Sequence, residues 1–309
     1  VGLFGGFFRG GDYRSFGYWA DIVKGDGDNF YLTRGNYDNL FIRYDAATGE
    51  VTQLANAPAG FYVGGELVYD STNNKIYATP SLYYRKLFVY DIETDTWSEE
   101  TDDPPPYDSN SGSVMIYDGS RYLYWLRGGG NTTFYRFDTQ GNAGSKWQSL
   151  AATPGGMSYG ADMVIRENYI YALRGNNTIS FYRYDISGNS WSDAAAADLP
   201  TGKTVYNDGF LVDGGGDYLY ACRGGNSYEC FQYSITNNTW TQITNAPANI
   251  YQGGAAAVYN NKIYVIAGNG TNTWADGLYT YVMQTNTTSF EESGSYVSPS
   301  IDLIAAYKY

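Results

Sequence analysis

Apolar and polar residues alternate along this chain in short stretches broken by Gly, Asn and Asp, and no segment carries a helical period. A two-residue alternation is the mark of a half-buried strand. Between residues 162 and 193 it predicts four strands, roughly Asp162–Arg166, Tyr169–Arg174, Ser180–Asp185 and Ser190–Asp193. The set recurs along the chain. An aliphatic or aromatic residue followed by Tyr stands at Phe30-Tyr31, Ile76-Tyr77, Leu123-Tyr124, Ile170-Tyr171, Leu219-Tyr220 and Ile263-Tyr264, with Tyr spacings of 46, 47, 47, 49 and 44 residues. A second marker follows each: Tyr44-Asp45, Tyr90-Asp91, Phe137-Asp138, Tyr184-Asp185, Tyr233-Ser234 and Tyr281-Val282. Trp97, Trp147, Trp191 and Trp240 come next, with Val51 and Phe290 in that place in the outer repeats.

Six units of four strands predict an all-β fold, a six-bladed β-propeller of four-stranded antiparallel blades with extra N- and C-terminal segments. Ring closure is the economical arrangement because it hides the inner sheet edges. The expected organisation is an apolar, Gly-rich segment over 1–15, the propeller over 16–292 and a strand-like tail over 293–309.

The repeat resembles the kelch family of β-propellers. The matching pieces are the apolar-Tyr second strand, a following Gly (Arg127-Gly128-Gly129, Arg223-Gly224-Gly225), a Tyr-Asp third strand, and the run from Asp91 to Trp97. It departs where the Gly-Gly pair becomes Arg-Gly in four units and Pro80-Ser81 in the second. The resemblance implies a fold and no single function, since kelch repeats serve enzymes, adhesive proteins and adaptors alike.

Composition narrows the partners. The 309 residues carry 19 basic and 32 acidic side chains, a net charge of −13, so nucleic acid is not an expected partner. No run of about 18 apolar residues is present, so membrane insertion as a helix is not expected. His is absent, which removes Ser-His-Asp triads, Cys-His pairs and most zinc or copper sites. No metal, cofactor or catalytic residue is expected. Sequons begin at Asn131, Asn176, Asn237, Asn269 and Asn286. Such tripeptides are common by chance in an Asn/Thr-rich chain. Few Lys, many Tyr, Asn, Thr and Gly, and the disulfide expected below together favour an extracellular or cell-surface protein, with these five Asn as glycosylation candidates.

Cys222 and Cys230 flank the turn over 224–227, and pairing the strands about residue 226 sets them opposite one another. The same places hold Leu173 and Phe181 in unit four, so a structural disulfide replaces an apolar cross-strand contact. The alternative, a reduced redox pair, lacks a CxxC spacing and a nearby base.

Two recurring sets could bind a ligand. Arg34, Arg127, Arg174 and Arg223 end second strands, and Tyr62, Tyr107, Tyr159, Tyr206 and Tyr251 stand in the loops between blades. In the kelch-like arrangement both reach the mouth of the central channel, where Arg donors and Tyr faces could hold an anionic glycan. The competing reading is that the Arg residues satisfy loop carbonyls and interblade carboxylates while the Tyr residues pack between blades. Arg43, Arg136 and Arg183 fall opposite Tyr31, Tyr124 and Tyr171, where cation–π pairs explain them without a ligand. Asp102-Asp103, Glu99-Glu100, Glu291-Glu292 and Asp26/Asp28 lack calcium-loop spacing, and Asp26-Gly27-Asp28 reads as a hairpin turn.

Both end units have four candidate strands of their own, which leaves two spare pieces, VGLFGGFFRGG over 1–11 and SYVSPSIDLIAAYKY over 295–309. Leu3, Phe4, Phe7, Phe8, Val297, Ile301, Leu303 and Ile304 are the candidate assembly residues. They could cover their own propeller, or add a strand to the outer edge of a neighbour, a head-to-tail contact that builds filaments. The expectation is a non-catalytic structural or adhesive protein, partnered by copies of itself, other cell-surface components or glycans. A glycan-binding propeller is the alternative, and a sugar-active enzyme such as a mutarotase comes third.

Overall fold

The computed structural model describes residues 18–80, 84–246, 249–268, 278–283 and 290–291. The described strands group into four-stranded antiparallel sheets. The first holds β1 (Asp21–Lys24), β2 (Asn29–Thr33), β3 (Phe41–Asp45) and β4 (Val51–Gln53). The second holds β5 (Glu66–Asp70), β6 (Lys75–Thr79), β7 (Phe88–Asp91) and β8 (Thr96–Glu99). The third is β9 (Val114–Tyr117), β10 (Tyr122–Leu126), β11 (Phe134–Asp138) and β12 (Trp147–Ser149). The fourth is β13 (Asp162–Arg166), β14 (Tyr169–Leu173), β15 (Phe181–Asp185) and β16 (Ser190–Ser192). The fifth is β17 (Phe210–Asp213), β18 (Tyr218–Cys222), β19 (Cys230–Ser234) and β20 (Thr239–Gln242).

These five blades are described with side chains in every strand, against the six predicted from the repeat. A further four-stranded sheet holds β21 (Ala255–Tyr259), β22 (Lys262–Ile266), β23 (Leu278–Met283) and β24 (Phe290–Glu291), the last two described by backbone alone. First strands touch first strands around the molecule: β1 meets β5, β5 meets β9, β9 meets β13, β13 meets β17, β17 meets β21, and β21 returns to β1. The architecture is an all-β propeller.

The core lies between blades, which explains the shape of the repeat. Second strands are buried over nearly their whole length, as in Ile170, Tyr171, Ala172 and Leu173 of β14. A strand covered on both faces takes a continuous apolar run instead of alternation. One core cluster joins Leu173 and Phe181 of the fourth blade to Leu211, Phe231 and Tyr233 of the fifth. A marker Trp closes four of these layers. Trp240 sets its ring edge-on to Phe181 of the preceding blade at 5.0 Å and donates Nε1 to the Ala197 carbonyl at 2.8 Å. Trp97 to Ala55, Trp147 to Asp103 and Trp191 to Ala151 repeat that bond at 2.9, 2.9 and 3.0 Å. Burying the ring is favourable only if its N–H finds an acceptor, and the preceding loop supplies one.

Cys222 and Cys230 are direct cross-strand partners and form a disulfide. Arg136 and Arg183 stand opposite Tyr124 and Tyr171 as expected, but their guanidinium groups lie over the rings of Tyr122 and Tyr169, at 4.3 and 4.5 Å. The diagonal neighbour on the same face offers its ring, while the ring directly opposite is buried in the interblade core.

Candidate functional site

The turns between second and third strands and the loops between blades meet on one face, around the mouth of the channel. Backbone bonds tie them together: Asn36 N donates to Tyr18 O at 2.8 Å, Asn176 N to Tyr159 O at 2.8 Å, and Tyr206 N to Arg223 O at 3.0 Å. The expected Arg and Tyr residues sit here, and each Arg is engaged within the protein. Arg34 Nη1 donates to Asp38 Oδ2 at 2.5 Å, and Arg127 pairs with Asp108 at 3.0 Å while its guanidinium lies 4.5 Å from the Tyr107 ring centre. Arg174 Nε donates to Gly156 O at 3.1 Å; Arg223 donates to Thr204 O at 2.8 Å and pairs with Glu229, which also takes Lys203 at 2.5 Å. These two cations hold the Glu229 carboxyl below its ordinary range.

The Tyr residues divide. Tyr107 and Tyr206 are exposed, and Tyr159 lies 5.8 Å from Tyr206. Tyr62 is half-buried and stacks with Tyr37 at 3.6 Å, while Trp19 meets Tyr62 edge-on at 4.2 Å. Tyr251 is half-buried and donates its N–H to Ala267 O at 2.9 Å. Arg127 with Tyr107, and Tyr62 with Tyr37 and Trp19, are therefore the two places where the mouth gathers ring and polar groups. Tyr37 and Trp19 were outside the set predicted from the repeat, because they occur in one blade only.

The channel holds a second group that the repeat search passed over. Asp21, Glu66 and Asp162 open β1, β5 and β13 at structurally equivalent places, facing Thr33, Thr79 and Leu173 across the sheet. Asp208 stands two residues before β17. Three of these carboxylates reach the next blade: Asp21 accepts from Leu67 N at 2.6 Å, Asp162 from Leu211 N at 2.6 Å, and Asp208 from Gly253 N at 2.5 Å. Burial raises Asp21 to about 6 and Asp162 and Asp208 to about 7, against the lowering effect of those N–H groups. Burial, with the like charge of the other three, pushes Glu66 well above the usual carboxylate range. Lining up the six strand openings would have placed Asp21, Glu66 and Asp162 in one column of the sequence.

Of the acidic residues singled out from sequence, Asp103, Glu99, Glu100 and Asp26 are tied into the fold. Asp103 accepts from Gly144 N and Lys146 N, and Glu99 and Glu100 pair with Lys86 and Lys146. Asp26 closes the β1–β2 hairpin and accepts from Tyr31 Oη at 2.8 Å. No group of three or more acidic or Cys side chains suited to a metal ion occurs among the described residues. Among the sequons, Asn176 is exposed at a turn, Asn131 donates its amide to Gly128 O at 2.9 Å, and Asn237 donates to Ser234 Oγ at 3.0 Å. Asn269, Asn286, Glu292 and the candidate assembly residues Leu3, Phe4, Phe7, Phe8, Val297, Ile301, Leu303 and Ile304 lie outside the described residues. No helix among the described residues is long and apolar enough to cross a membrane.

Fold and mouth together define a β-propeller with an aromatic face and an acidic channel. No family model matches the chain, and no curated protein matches its sequence. Among solved structures it is similar to one titled "Structure of YjhT", with a TM-score of 0.67 over 88% of this chain and 96% of that one, at 14% identity. A likeness at that identity speaks for the propeller fold alone.

Proposed function

We propose that the chain is a non-catalytic structural or adhesive protein of the extracellular space, a kelch-type six-bladed propeller that joins copies of itself, through its terminal segments, into a filament. The observation that supports it most is how the mouth spends its charge. Arg34, Arg127 and Arg223 are matched by Asp38, Asp108 and Glu229, while the large rings of Tyr37 and Tyr107 remain partly exposed. Such a face favours lasting contact over turnover. The disulfide favours an oxidising compartment. Light scattering of the whole chain beside a variant lacking 1–11 and 295–309 tests the proposal: polymers that vanish with the tails support it, and equal assembly of both forms refutes it.

The second reading is a glycan-binding propeller. It is favoured by the Tyr107 ring beside the Arg127–Asp108 pair, an apolar face edged by planar donors. Loss of sugar binding in Arg127→Ala or Arg174→Ala, with assembly unchanged, would separate it from the first.

A further inference from the structure

At two left-handed backbone places the first blade carries aromatic residues where the other described blades carry Gly, Asn or Asp. Two residues before each inner strand the backbone turns left-handed, and four blades place Gly there: Gly64, Gly112, Gly160 and Gly253, at φ of 76°, 68°, 79° and 91°. The fifth blade uses Asp208 at 57°; the first uses Trp19 at 60°. A second left-handed place lies in the turn between second and third strands, whose N–H donates to the next loop. Gly130, Asn177 and Asn226 fill it, bonded to Met157 O, Val205 O and Ile250 O at 2.7, 2.9 and 2.8 Å. In the first blade it is Tyr37, at φ 62°, bonded to Phe61 O at 2.9 Å.

Gly and Asn adopt this conformation readily, and bulky L residues resist it. Both exceptions deliver a ring to the same spot. Tyr37 stacks on Tyr62 with 17° between planes, Trp19 meets Tyr62 edge-on, and Tyr18 lies 5.4 Å from Trp19. Tyr37 remains 62% exposed, so burial does little to offset the strain. Strain kept at two places where the described sister blades avoid bulky residues points to a task beyond maintaining the repeat.

We propose that Trp19, Tyr37 and Tyr62 form a platform for a neutral sugar ring. This rests on the glycan reading of the mouth and moves its centre from the Arg set to the first blade. The rings offer flat apolar surface to the C–H face of a saccharide, and the Tyr hydroxyls offer polar edges to its hydroxyl groups. Arg34, directly after β2, and Asp38, directly after Tyr37, cancel one another's charge at 2.5 Å. With a net charge of −13 on the chain, an anionic ligand is disfavoured.

Calorimetric titration of the full chain with cellohexaose, mannohexaose and maltohexaose, with sialyllactose as the anionic probe, tests the site. Trp19→Gly and Tyr37→Asn install the residues used by the other blades. The expected result is saturable binding of a neutral hexasaccharide, weakened at least about tenfold in both variants, whose Tm stays level or rises by about 2–4 °C as strain is relieved. Polymer size, read by scattering on the same samples, is expected to stay unchanged, so loss of sugar binding and loss of assembly are separate outcomes. The proposal is overturned by the absence of saturable binding to all three at millimolar concentration, by binding of sialyllactose alone, or by a lowered Tm in both variants. Binding that appears only after residues 1–17 are removed also overturns it, since that segment would then be the occupant.

Discussion

The carboxylate of Asp162 in the fourth blade accepts a hydrogen bond from the backbone N–H of Leu211 in the fifth, at 2.6 Å. Asp21 does the same for Leu67 between the first and second blades. Inner strands of a propeller have no ladder partner across the blade boundary, so their N–H groups need another acceptor. A side chain from the neighbour supplies it and locks the two blades in register.

That arrangement sets a pH dependence. Asp21, Asp162 and Asp208 have folded pKa values of about 6, 7 and 7, and Glu66 is also raised, each above the ordinary carboxylate value. The native state therefore holds more protons than the unfolded chain between about pH 4 and 7, and stability falls as pH rises through that window. Asp45, Asp91, Asp138 and Glu229 are shifted down, so their contribution is lost as pH falls below about 4. The account predicts a higher Tm near pH 5 than near pH 8. Asp162→Asn, which keeps an acceptor for Leu211, should flatten the difference. A Tm that rises steadily from pH 5 to pH 8 would contradict it.

The Trp bond between blades makes a separate prediction. Trp240→Phe keeps most of the ring contact with Phe181 but leaves Ala197 O without the indole donor. Urea unfolding should show a loss of about 1 kcal/mol, the typical net value of one such bond. Trp240→Ala should lose clearly more, because the interblade layer opens. Equal losses would mean that packing contributes nothing at this edge.

The disulfide closes a loop with a sequence separation of 8 residues. Loop-closure entropy for so short a loop gives about 2.5 kcal/mol. Cys222→Ala/Cys230→Ala should lower the denaturant midpoint accordingly while retaining the far-UV spectrum of a β protein. The unreduced chain, once unfolded, should show no free thiol.

Glycan occupancy follows from the amides. Asn176 is exposed in a turn, whereas Asn131 and Asn237 spend their amide nitrogen on Gly128 O and Ser234 Oγ. Peptide mapping of native material should find Asn176 the most fully modified of these three. Modification of Asn131 alone would contradict the ranking.

The strands were legible because each repeats its pattern. β13 to β16 fall within a residue or so of the expected bounds, and the Cys222–Cys230 pairing follows from register arithmetic. Repeat arithmetic also picked out the Arg and Tyr sets, but ion pairs such as Arg223 with Glu229 depend on loop geometry that no spacing encodes. The channel carboxylates escaped notice because Asp21, Glu66 and Asp162 lie about one and two repeats apart with Val114 at the equivalent place between them. Trp19 and Tyr37 escaped for the opposite reason. They are departures from the repeat, and a search for recurrence discards departures.

The most direct test of the structural role is electron microscopy of the full chain in its native, undenatured form, with light scattering of the same sample across concentrations. The account predicts long, regular particles whose repeat fits one propeller. A uniform monomer of 34.2 kDa at every concentration would contradict it.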